Sequence, residues 1–204
     1  MKKLIIVISI ILVIAVIVCG VLLMKNNNNS NNNNNESNNN NSNAESKEKK
    51  LQTAEEIQNM INTIYTSGTV ELPSLEIETI DASDETQVNV FTGLKSNANV
   101  EELVVSVPFI NSQAYSLAVV KVSENADIEQ MKQEMLDNID MRRWICVSAE
   151  KLYITNYENI IFLVMSSEEW AKPVYEEFKN FVENNIGKEL EKSETADIDL
   201  PPEM

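Results

Sequence analysis

Apolar residues are distributed along this chain in three ways, and each predicts a different kind of structure. Residues 4–24 form an unbroken apolar run with no charged position. At 1.5 Å of rise per residue such a helix spans about 30 Å, the thickness of a bilayer's hydrocarbon core, so residues 1–25 are expected to form one transmembrane anchor. In residues 26–43 no side chain is apolar and 14 of the 18 are asparagine. With nothing to bury, residues 26–51 are expected to be a disordered linker, with a root-mean-square span of roughly 25–30 Å as a flexible coil. From residue 52 onward apolar positions recur at helical and strand periods, which predicts a folded domain over residues 52–187. The acidic stretch 188–204 reads as a disordered tail.

Within the domain, Thr53, Ala54, Glu55 and Glu56 form a capping box ahead of Ile57, Met60, Ile61 and Ile64 at helical spacing, with Gly68 where a helix would stop. Residues 75–80, 87–91, 100–110 and 115–122 are rich in β-branched side chains and bounded by turn formers, the pattern of strands. Asp127 is placed to cap a helix whose apolar stripe is Ile128, Met131, Met135, Leu136 and Ile139. Residues 152–155 and 160–165 flank a turn and read as a hairpin, its second arm apolar throughout like a central strand. A last helix carries Val174, Phe178, Phe181 and Val182 on one face, with Pro173 near its first turn and Gly187 at its end. The fold class expected is α+β: an antiparallel sheet with about three helices packed on one of its faces.

Composition removes many activities. The chain of 204 residues has a net charge of −16, and the whole deficit lies beyond residue 50. An acidic domain repels nucleic-acid backbones, so no nucleic-acid partner is expected. Histidine is absent, which excludes His-based triads and two-His zinc sites. Four scattered glycines make no phosphate-cradling loop, and no cofactor is expected. Lys2 and Lys3 precede the apolar run and Lys25 alone follows it, which favours an extracytoplasmic domain. Cys19 followed by Gly20 offers an alternative, lipidation at Cys19, against which stand the large residues before it and the apolar run continuing past it.

Candidate chemistry is sparse. Ser148 and Lys151 have the S-x-x-K spacing of penicillin-interacting enzymes, but the companion motifs are missing and the spacing recurs at Ser46 and Lys49. Cys146, between Ile145 and Val147, reads as a small buried core residue. The acid pairs Asp137/Asp140, Glu168/Glu169 and Glu176/Glu177 read as solvated helix surface. Arg142 and Arg143 are the only arginines, adjacent to Trp144, in a domain of opposite charge. A guanidinium beside an aromatic is a common anchor for carboxylates and for protein interfaces. Asn111, Gln113 and Tyr115 alternate into a strand and are placed to line one side of a shallow pocket.

Residues 105–121 (VSVPFINSQAYSLAVVK), residues 143–149 (RWICVSA) and the run IIFLVMSSEE from Ile160 resemble an uncharacterised domain family of anaerobic Gram-positive bacteria, over roughly residues 52–186. Its members are membrane-anchored or lipoprotein-like, so the resemblance implies a place in the cell envelope. It supplies no catalytic residues. The role expected is a binding or interaction module tethered to the cell membrane through residues 4–24, its partner an unidentified protein or envelope ligand. A sensor or accessory subunit of a membrane complex, or a Cys- or Ser-dependent envelope enzyme, is the alternative.

Overall fold

The computed structural model describes residues 51–110 and 112–194, all within the second of the two units into which the chain divides, residues 47–204. The expected anchor, the linker to residue 50, Cys19, Asn111 and residues 195–204 lie outside the described residues. Among the described residues no helix is long and apolar enough to cross a membrane.

The order is α1 (Ala54–Ser67), β1 (Leu75–Ile80), α2 (Glu85–Thr92), β2 (Val100–Pro108), β3 (Tyr115–Val122), α3 (Ile128–Asn138), β4 (Lys151–Tyr157), β5 (Ile160–Ser166), α4 (Glu168–Phe181) and β6 (Leu190–Ser193). The strands form one six-stranded sheet in the order β1-β2-β3-β5-β4-β6, antiparallel at every pairing. The α+β class therefore holds, with four helices among the described residues.

Helices cover both faces of the sheet, where one face was expected. Ile160, Phe162 and Val164 of β5 point to the side covered by α1 and α4, where Ile57, Ile61, Ile64, Val174 and Phe178 meet them. Ile161, Leu163 and Met165 point to the side covered by α2 and α3, against Val88, Met131 and Met135. Successive strand residues alternate faces, so a strand buried on both must be apolar throughout. That is why β5 reads IIFLVMS, all of it buried.

Five local expectations are corrected. Residues 87–91 form α2 and not a strand, because Asp84 accepts from the Gln87 N–H at 3.0 Å and Gly93, at φ 77°, closes the helix. Start and stop signals thus override β-branched content, and Val88 and Thr92, one turn apart, are the buried pair. Leu51 belongs to the core and not to the linker. Residues 188–194 are not a tail but lead into and form β6, which pairs with β4 from Ile154↔Leu190 to Lys151↔Ser193. Gly187 does not end α4: the helix stops at Phe181, and Glu183 and Asn184 take the left-handed turn. Pro173 sits one turn deeper in α4 than expected.

The capping box holds as read: Thr53 Oγ1 accepts from the Glu56 N–H at 3.2 Å, and Glu56 Oε2 accepts from the Thr53 N–H at 3.2 Å. Gly68 is the C-cap, but at φ −65° and ψ 150° it is extended and uses none of glycine's freedom.

Candidate functional site

Strand register fixes which loops are neighbours. Leu75 pairs with Pro108, Tyr115 with Ser166, and Lys151 with both Ser166 and Ser193, so all six lie at one end of the sheet. The β2–β3 loop and the segment entering β4 therefore share that rim. α1 runs toward it: Gln58 bonds Thr79 near the far end of β1, while the Tyr65 hydroxyl meets that of Tyr115 at 2.9 Å. The chain thus enters the domain, at Leu51, from the end opposite the rim.

The segment entering β4 is an excursion. The Ala149 N–H donates to the Met141 carbonyl at 2.8 Å, both residues are buried, and residues 142–148 are pushed outward between them. Cys146, expected in the core, is exposed at φ 63°, and Ile145 is 75% exposed. Their apolar neighbours in sequence suggested burial, but a loop pinched at its base has no sheet to pack against.

Arg143 is the fixed point of this excursion. Its Nη1 donates to the Val90 carbonyl at 2.9 Å and its Nη2 to Ser116 Oγ at 3.1 Å. The guanidinium lies 4.9 Å from the Phe91 ring centre and 5.1 Å from that of Trp144. Burial draws its pKa down to about 10, against the opposing pull of Asp140. Around it opens a cleft of about 290 Å³ lined by Val90, Phe91, Pro108, Trp144 and Ile145, among others. Among the described residues, five large hydrophobic residues stand out as exposed: Val90, Phe109, Ile110, Ile145 and Val147. One is on α2 at the cleft wall, two follow Pro108 and two belong to the excursion.

The two predicted segments do meet at the rim, through Arg143 on one side, as expected, and through Ser116 on the other, not through Gln113 or Tyr115. Tyr115 is fully buried on the opposite face, its hydroxyl against Tyr65, and offers no contact surface. The β3 residue that reaches Arg143 is its neighbour Ser116. Gln113 is half-buried in the loop, its carbonyl accepting from the Tyr115 N–H at 3.1 Å. Arg142 points away from the cleft to an ion pair with Glu194 at 3.0 Å. Lys151, the lysine of the S-x-x-K spacing, donates to Ser193 at 2.7 Å across the sheet edge.

Sequence reading missed a second buried cation. Lys132, on α3, is fully buried, and its ammonium is held by Asn156 at 2.7 Å, the Lys188 carbonyl at 2.8 Å and Glu129 at 2.6 Å. Helical spacing places it on the apolar stripe, between Ile128 and Leu136, but its partners Asn156 and the Lys188 carbonyl lie on β4 and just before β6, where no local pattern reveals them. A larger cleft, of about 420 Å³, lies between α4 and the β4–β6 edge, lined by Glu168, Glu176, Glu189, Glu191, Lys172 and Tyr175 among others. Three of its polar groups are engaged within the fold: the Tyr175 hydroxyl donates to Glu189 at 2.7 Å, and Lys179 bridges Glu176 and Glu189. Among the described residues no group of acids or cysteines is arranged to hold a metal ion.

No family model, curated protein or solved structure matches the chain.

Proposed function

We propose that this protein is a non-enzymatic binding module of the bacterial cell envelope, tethered through residues 4–24 to the cell membrane with its folded domain outside. Its contact surface is the rim around Arg143 and Trp144. The observation that carries the reading is the placement of Val90, Phe109, Ile110, Ile145 and Val147, the exposed large hydrophobic residues among those described, around one cleft and the two loops beside it. An apolar surface centred on an aromatic and an arginine, on an otherwise acidic domain, has the composition of a protein interface. The partner it fits is a protein presenting aliphatic side chains flanked by a carboxylate. The linker, at roughly 25–30 Å, keeps that encounter within a few nanometres of the bilayer.

The test is affinity capture from native membranes with the full chain, comparing wild type with Ile145→Glu and Phe109→Ser. Both side chains are exposed, so the fold survives while the surface does not. Loss of a specific partner in both variants is the expected result, and identical partner sets would sink the reading.

A further inference from the structure

The cleft between α4 and the β4–β6 edge is built by strand register on one side and by helical spacing on the other. Tyr153 of β4 pairs with Glu191 of β6, and directly paired residues face the same way. Glu168, Lys172 and Glu176 stand at i, i+4 and i+8 along α4, on one stripe of the helix. β6 is the last strand in the sheet order, and about 420 Å³ opens between it and the helix. Small-molecule sites commonly enclose roughly 300–1,000 Å³.

At one end of this cleft the chain itself supplies an alkylammonium. Lys179 bridges Glu176 of α4 at 3.3 Å and Glu189 before β6 at 3.4 Å, with its Nζ 5.4 Å from the centre of the Tyr175 ring. The same set of groups recurs beside it: Glu168 of α4, Glu191 of β6, and Tyr153, whose ring stacks on Tyr175 at 5.0 Å. Among the described residues, neither of these two carboxylates has an ion-pair partner. Lys151 is turned to Ser193 at 2.7 Å, and Lys172 is exposed and pairs with no acid.

Tyr153 is the independent sign of a ligand. It is 8% exposed, yet its hydroxyl has no hydrogen-bond partner among the described residues. Burial raises its pKa, and Glu168, Glu191 and Glu176 raise it further, which sets the hydroxyl among the carboxylates of the cleft. A phenol oxygen accepts as well as donates, and carboxylates only accept. A group with several N–H donors satisfies all of them at once.

We infer that this cleft binds a primary ammonium on an aliphatic chain, its three N–H donors shared among Glu168, Glu191 and the Tyr153 hydroxyl. The stem has the stacked Tyr153 and Tyr175 rings and Leu190 to lie against. A free polyamine and the lysine side chain of a peptide present this same group. The site is separate from the Arg143 rim and stands whether or not the rim binds a protein.

The experiment is isothermal titration calorimetry of the purified full chain in detergent, with 1,4-diaminobutane and with Nα-acetyl-lysine amide. Saturable binding of at least one probe is expected. Tighter binding of the diamine identifies a free polyamine as the source, and tighter binding of the lysine amide a peptide side chain. Affinity should fall about tenfold in Glu168→Gln/Glu191→Gln and about fivefold in Tyr153→Phe, which keeps the stacked ring and breaks no internal hydrogen bond. Glu76→Gln/Glu78→Gln, exposed on β1 at the opposite edge of the sheet, removes the same charge and should change affinity by less than about twofold. The inference is overturned by no saturable binding of either probe, by an equal loss in the two glutamate pairs, or by Mg2+ competing as well as the diamine of the same charge. The last two results would mean that the probes sense only the diffuse negative field of the domain.

Discussion

Two cations are drawn into this domain, and their surroundings differ in a way that separates scaffold from surface. Lys132 is fully buried, and its three donors meet Asn156, the Lys188 carbonyl and Glu129. An ammonium has three protons to give, so nothing is left for a ligand. Arg143 is half-buried and places two hydrogen bonds and two aromatic rings around a guanidinium with five donors. The first arrangement closes on itself and ties α3 to β4 and to the chain entering β6. The second fixes the base of a cleft while Ile145 and Val147 face solvent. A buried charge with every partner in place points to architecture; one beside exposed apolar groups points to recognition.

The largest loss of stability is expected from Lys132→Met. It leaves Asn156 Oδ1 and the Lys188 carbonyl without a donor, which should cost about 2–4 kcal/mol by chemical denaturation. A variant as stable as wild type would show that Lys132 does no more than fill space. Gly187→Ala tests the same clamp from its other side. An added Cβ would lie 2.0 Å from Asn156 Oδ1, so the Asn156 side chain must move and release Lys132. A cost of about 2 kcal/mol is expected, and it should overlap with that of Lys132→Met, since both act through Asn156. Strict additivity in the double variant would mean that the two sites are independent.

Alkaline pH probes the faces of the sheet. Burial pushes the Tyr65 phenol from its ordinary 10.0 up to about 12, and Tyr115 well above 10.0. Tyr153 and Tyr175 are raised as well, again chiefly by burial. A folded pKa above the unfolded one means that the stability is whole below pH 10 and is lost as pH climbs through 12. Arg143, lowered to about 10, works in the opposite sense, one group against these four phenols. A melting temperature that falls steeply above pH 10, with a shallower fall in Tyr65→Phe/Tyr115→Phe, is the expected outcome; a flat profile would contradict the burial of these phenols.

The smallest effect on stability belongs to the rim. Ile145→Glu, at a side chain 75% exposed, should change unfolding free energy by no more than about 0.5 kcal/mol while abolishing partner capture. A loss of several kcal/mol would place Ile145 in the core of the excursion and dissolve the contrast with Lys132.

How much of this was legible in the residues depended on the range of the interactions. The Thr53–Glu56 capping box, the Asp127 cap, β1, β3 and the apolar central strand β5 are written locally, because caps act within one turn and strand burial within one period. The Arg143–Trp144 pair was legible as unusual composition. Residues 87–91 were misread because β-branched content speaks for strands, while Asp84 and Gly93 carried the stronger helical signal. β6 was missed because four mostly polar residues, LEKS, become a strand only when Gly187 lets the chain approach Asn156 and Lys132 holds the Lys188 carbonyl.

By itself the sequence determined the apolar run of residues 4–24, the asparagine tract, the acidic balance, the lack of histidine and the positions of most elements. Each of these is a property of composition or of a period of one helical turn or two strand residues. The tertiary structure decided which residues share the rim, that Tyr115 turns inward while Ser116 meets Arg143, and that Cys146 and Ile145 face outward. Those outcomes follow from strand register and from the Met141–Ala149 bond that pinches the excursion. Both join residues whose proximity no local pattern encodes.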